Sequence, residues 1–205
     1  RQKILDLAIR GKLVPQDPND EPASVLLQRI RAEKQQMVKD GKLKAKDIKN
    51  DTAIFLGDDN LHYEKFPDGT VKCIEDEIPF ELPEGWEWCR LTSVCSKIID
   101  GAHNPPKGVD SATEYIMASS RNINNDEICD LENVRYLSKE NHDKENQRTM
   151  VSMGDVLLTT VATLGRSCIY KGIPENLTFQ RSVTVITPLI DSHFLKIYFD
   201  SHYFQ

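Results

Sequence analysis

The chain has 205 residues, 39% hydrophobic and 28% charged, enough for one sizeable core or a core with an appendage and too apolar for a disordered chain. It contains no run of about 18 apolar residues and no apolar segment behind Arg1-Gln2-Lys3, so neither a membrane span nor a signal peptide is expected, and a soluble, cytoplasmic protein is. The formal net charge of −6 hides a division: residues 1–50 carry 12 basic and 7 acidic groups (net +5), residues 51–89 carry 2 and 11 (net −9), and residues 90–205 carry 12 and 14 (net −2), so the sum alone does not exclude a nucleic-acid partner.

Ile4, Leu5, Ala8 and Ile9 share one face of a helix spanning Arg1 to Arg10, with Gly11 as its stop. A proline-punctuated loop, Leu13 to Asp20, follows. Pro22 suits the first turn of a second helix, whose apolar face of Leu26, Leu27, Ile30, Met37 and Val38 closes at Gly41. Residues 1–45 thus read as a helical hairpin whose apolar stripe needs a cover. It packs on its own domain or docks on a partner, and the residues leave both open.

Residues 46–79 turn polar and acidic, as in a linker, with a hairpin over Leu61 to Phe66, Pro67-Asp68-Gly69 and Val71 to Ile74. Trp86 and Trp88 fall on one side of an extended stretch, where packing is the expected role rather than base stacking. The composition shift starts a new domain at about Phe80, so residues 80–205 form a mixed α/β (α+β) domain of short elements. Expected strands are 114–118, 132–137, 155–161, 166–170 and 182–187. Expected helices are 139–148, capped by Ser138, and 193–204, capped by Ser192.

Catalytic chemistry finds little support. Cys73, Cys89, Cys95, Cys129 and Cys168 are widely spaced with no C-x-x-C pair, which predicts reduced thiols and no zinc site. The five histidines offer no H-x-x-x-H pair. Asn104-Pro105-Pro106 invites comparison with the adenine methyltransferase turn, but Lys107 stands where that turn needs an aromatic, and no glycine-rich cofactor turn accompanies it. Asp100 and His103 lack a nucleophile elbow, and the acidic run at 75–77 reads as solvated surface.

Binding chemistry is better represented. The run Gly154 to Tyr170 reads as a strand pair joined by a turn of Thr163, Gly165 and Arg166, with hydroxyls and unhindered N–H groups beside a guanidinium, which suits phosphate. Arg121-Asn122-Ile123-Asn124-Asn125 and Gln180-Arg181-Ser182 carry side chains that pair with guanine and adenine edges. With the loop at His103 and Lys107, four loops of one domain hold DNA-reading chemistry. Arg121, Asn122, Asn124 and Gln180 are candidates for base edges. Lys107, Thr163, Gly165, Arg166 and Arg181 are candidates for phosphates.

In order along the chain, Leu82-Pro83-Glu84-Gly85-Trp86-Glu87-Trp88, Ile99-Asp100-Gly101-Ala102-His103, Gly154-Asp155-Val156-Leu157-Leu158 with Thr163-Leu164-Gly165, and Gln180-Arg181-Ser182-Val183 resemble a target recognition domain of a type I restriction-modification specificity (S) subunit. Gln2 to Asp17 is similar to that family's conserved segment at the end of a spacer helix. The resemblance implies a mixed, mostly antiparallel sheet with flanking helices, C-terminally incomplete here. It implies a non-catalytic reader of one half of a bipartite double-stranded DNA target, working with methyltransferase (M) subunits and a restriction/translocase (R) subunit. S-adenosylmethionine and ATP with magnesium would bind those partners, and this chain would need no cofactor. Ile4, Leu5, Leu27 and Ile30 would then dock the methyltransferase subunit. An orphan adaptor acting mainly through that docking is the alternative.

Overall fold

The computed structural model describes residues 2–205, so Arg1, the expected first residue of the first helix, lies outside them. The chain divides into two compact units, one ending at Ser96 and the other running over Lys97–Gln205. The start expected near Phe80 therefore lies inside the first unit.

In the first unit, α1 (Gln2–Ile9) and α2 (Ala23–Lys39) follow the predicted apolar periodicity, with Pro22 at the N-cap rather than in the first turn. The stretch read as a linker contains an ordered strand. Ala53-Ile54-Phe55-Leu56 is a short apolar run, and it forms β1 (Ala53–Leu56) against β2 (His62–Lys65), which pairs in turn with β3 (Val71–Cys73). Both pairings are antiparallel.

Residues 80–96 belong here because they are bonded here. Trp86 Nε1 donates to Gln16 Oε1 at 2.8 Å, and the Ala23 amide donates to the Gly85 carbonyl at 2.8 Å. Trp88 meets Phe80 edge to face at 5.0 Å. Neither tryptophan sits in a strand, and both are tied into packing.

Two buried ionic groups knit this unit. Lys34, 2% exposed, pairs with Asp51 at 2.5 Å and donates to the Thr92 carbonyl at 2.7 Å. Glu64, 5% exposed, accepts two bonds from Arg90, at 3.0 and 2.5 Å, and one from Thr52 Oγ1 at 2.6 Å. A buried charge without such partners would be costly, so these pairs fix which segments meet.

The second unit is built from β4 (Cys95–Asp100), whose first two residues precede the division, β5 (Ile116–Ala118), β6 (Ile123–Asn124), β7 (Glu127–Ile128) and β8 (Arg135–Tyr136). Then come α3 (Lys139–Thr149), β9 (Val156–Thr159), β10 (Ser167–Ile169), β11 (Leu177–Phe179), β12 (Val183–Pro188) and α4 (Ser192–Phe199). The principal sheet has the order β10-β9-β12-β4, and a second has the order β11-β5-β8. β9 is antiparallel to β10 and β12, β8 is antiparallel to β5, and β11 is parallel to β5. The fold is mixed α+β, as expected.

One core serves both sheets: Leu157, Val183 and Val185 from the first pack with Ile116, Leu177 and Phe179 from the second. α3 packs along β11 and α4 along β10. Ser138 caps α3 as predicted, its Oγ accepting from the Asn141 amide at 3.3 Å. The cap of α4 is Asp191, which accepts from the Phe194 amide at 2.8 Å, while Ser192 donates to the Gly154 carbonyl. α4 stops at Phe199, short of the expected Phe204. The strand expected over 132–137 is shortened because Leu131–Asn133 makes a single helical turn behind Asp130, which is left-handed at φ 53°.

Candidate nucleic-acid interface

Strand register brings the candidate loops to one end of the second unit. Val183, the first residue of β12, stands opposite Thr159, the last of β9, and β10 begins beside them at Ser167. Phe179 ends β11 alongside Ala118, which ends β5. β4 reaches the same end, where the Gly101 amide donates to the Val183 carbonyl at 2.9 Å.

Hydrogen bonds lace these four loops together. The Ala102 amide donates to Phe179 O at 2.7 Å and the Arg181 amide to Ala102 O at 3.0 Å. The Gln180 amide donates to Ala118 O at 2.9 Å, the Thr160 amide to Ser182 O at 3.0 Å, and the Ser120 amide to Ser182 Oγ at 3.0 Å. Gly101 makes the close approach possible, because a Cβ there would collide with the carbonyl oxygens of Phe179 and Gln180.

Three of the predicted contacts are corrected by this frame. Asn122 is fully buried: its Oδ1 accepts from the Ser119 amide at 2.9 Å, and its Nδ2 donates to the carbonyls of Cys129 (3.2 Å) and Asp130 (3.0 Å). With its amide group bonded on both sides it shapes the loop and has no face left for a base edge. Thr163 and Gly165 do not form a phosphate cradle. The Gly165 amide donates to Thr159 O at 3.0 Å, the Arg166 amide to Thr159 Oγ1 at 3.1 Å, and the Thr163 hydroxyl oxygen is buried. The buried Thr159 takes the two amide donors of the turn, and the buried Thr163 hydroxyl is not offered to solvent.

The exposed functional groups at this end are Arg121, Arg166, Arg181, the Thr160 hydroxyl and His103. Among the described residues the three arginine side chains carry no hydrogen bond or ion pair to the protein. Gln180 and Asn124 are half-buried. Lys107 is exposed but sits on a segment held along β8, where Arg135 Nη1 donates to Pro106 O at 2.8 Å and the Val109 amide to Tyr136 O at 2.9 Å. The β6–β7 hairpin that carries Asn124 is pinned to α4 by Lys196, which pairs with Asp126 and, at 2.6 Å, with Asp200.

Sequence reasoning missed Thr159 in this arrangement, and it weighed Asp100 only for acid-base chemistry. Hydroxyls at strand ends beside a basic residue were the available signal. Together the groups present fork-shaped cations and polar side chains on a rigid sheet end, a set that matches phosphate oxygens and base edges.

The expected docking residues separate. Ile4 is 58% exposed on α1 and Leu5 is half-buried. Leu27 lines a groove of about 770 Å³ within the first unit, together with Phe55, Trp86 and Glu87. Ile30 is 2% exposed, so it is core and offers no surface for docking.

No protein-family model matches the chain. It is similar to the type I restriction enzyme EcoEI specificity subunit of Escherichia coli, 48% identical over 96 residues, which is 47% of this chain and 13% of that protein. It is equally similar to the EcoAI specificity subunit of the same organism, 50% identical over 94 residues, 46% of this chain and 12% of that protein. The matching segment is thus a small part of each relative. Over close to half of its length, the chain is similar to two type I restriction enzyme specificity subunits.

Proposed function

We propose that this chain is the DNA-reading part of a type I specificity subunit. The second unit binds one half of a bipartite duplex target through its loop end. Bound there, it positions methyltransferase subunits, which hold S-adenosylmethionine, and through the complex a restriction/translocase subunit, which uses ATP with magnesium. The chain itself catalyses no step. The observation that carries this reading is the convergence of Arg121, Arg166 and Arg181, all without protein partners, on loops bonded to one another at one sheet end. Similarity to two specificity subunits supports it.

The test is fluorescence anisotropy with a labelled random duplex across a salt series. Affinity should fall steeply with salt, and Arg166→Ala or Arg181→Ala should each lower the log–log slope by about one unit. Absence of salt-dependent binding at low ionic strength would sink the proposal.

Docking to a methyltransferase subunit is assigned to α1, because Ile4 is exposed on a face otherwise turned inward. Ile4→Glu should reduce co-elution with that subunit and leave DNA affinity unchanged. Unaltered co-elution would remove α1 from the interface.

A further inference from the structure

The loop end of the second unit, which carries Arg121, Arg166 and Arg181, also carries a carboxylate that makes no close ion pair. Asp100 ends β4, and its Oδ1 accepts from Thr184 Oγ1 at 2.6 Å. Thr184 is 5% exposed, and its hydroxyl lies 3.4 Å from that of Thr160. Behind Asp100 the chain is pinned by the Gly101 and Ala102 amides, bonded to Val183 O and Phe179 O. The carboxylate is thereby held through Oδ1, while Oδ2 accepts no hydrogen bond from the described residues. Its side chain is 45% exposed, and His103 Nε2 lies 3.8 Å from Oδ2, beyond hydrogen-bond distance.

Such a group is costly beside a polyanion. If it served only to hold the loop, Thr184 would be satisfied equally by a neutral acceptor. A carboxylate oxygen accepts and never donates, so it repels phosphate and finds no partner in a base carbonyl or ring-nitrogen acceptor. The complementary groups on a duplex are exocyclic amines: adenine N6 and cytosine N4 in the major groove, guanine N2 in the minor groove. We infer that Asp100 is a specificity-determining residue that accepts a hydrogen bond from the exocyclic amine of one target base. This rests on the DNA-reading function proposed above.

The full chain and its Asp100→Asn variant are each incubated with a duplex library of random sequence, and the bound fractions are sequenced. The asparagine keeps the bond from Thr184 and replaces Oδ2 by a donor. Wild type should select adenine, cytosine or guanine at one position, and D100N should lose that preference or shift it to a base presenting a carbonyl. D100N should also bind random DNA more tightly, because a negative charge has gone. In the selected duplex, replacing the chosen base by its amine-free analogue (purine, 2-pyrimidinone or hypoxanthine) should weaken wild type about tenfold or more, and D100N much less.

Asp100→Glu, which keeps the charge and moves it outward, should lose affinity for the selected duplex with no gain on random DNA. That variant separates charge from position if D100N folds poorly in a melting control. Identical base preferences for wild type and both variants overturn the assignment of Asp100 alone. Failure of the wild-type chain to enrich any sequence overturns the DNA-reading function with it.

Discussion

Arg121 and Asn122 are neighbours in sequence with opposite duties. Arg121 is exposed and unbonded to the protein, while Asn122 is buried and bonded through both ends of its amide. Asn122→Ala would strand the Ser119 amide and two carbonyls, costing about 1–3 kcal/mol of stability by urea denaturation. Arg121→Ala should leave the urea midpoint unchanged and weaken DNA binding instead. If Asn122→Ala kept wild-type stability yet altered base preference, the division between the two residues would be wrong. Gly101→Ala tests the frame itself. Its methyl would press on two carbonyl oxygens, so we expect a loss of about 1–3 kcal/mol and a lower melting temperature, with DNA binding impaired as Asp100 and His103 are displaced. The sequence shows that Arg, Asn and Thr gather in these loops. It does not show which of them turns inward, because that is decided by partners such as Cys129 and Asp130 that approach only once the hairpin closes.

At the scale of elements, legibility followed how local the signal was. α3 was readable to within a residue because its cap, Ser138, and its polar run are adjacent in sequence. β9, β10 and β12 were readable from β-branched, buried runs. β1 and β11 were not, since each is three or four residues whose strand character comes from the neighbour they pair with, β2 and β5. The acidic stretch read as a linker is instead held by Glu64, and this gives the first unit a pH dependence. Arg90, the largest cause, and Thr52 hold the Glu64 carboxyl below its ordinary value of 4.5, despite an opposing effect of burial. A depressed carboxylate contributes stability above its unfolded value, and that stability is lost as pH falls through the folded one. Unfolding followed by tryptophan fluorescence, with both tryptophans in this unit, should therefore show stability declining below about pH 4.5. Glu64→Gln should flatten that decline while lowering stability at neutral pH.

Across the whole molecule, charge and reactivity follow the two units rather than the average composition. Residues 51–89, at net −9, all fall in the first unit, so the overall −6 says nothing about the arginines of the second. Thiols map both interiors. Burial pushes Cys89 up to about 11 and Cys95 and Cys168 up to about 12, whereas Cys73 is exposed. A disulfide reagent at pH 8 should modify Cys73 quickly and reach Cys89, Cys95 and Cys168 only after denaturant, because the thiolate is the reactive form. Fast labelling of Cys168 in native protein would show that the second core opens readily. The laced loop end has a consequence for how such a protein changes over generations. Positions that hold the loops (Thr159, Asn122, Ser182, Gly101) alternate with positions that face outward (Arg166, Arg121, Arg181) and owe nothing to the fold. Single substitutions at the outward set carry no folding penalty, so under the proposed DNA-reading function new target preferences are reachable one nucleotide change at a time, while changes in the inward set cost stability.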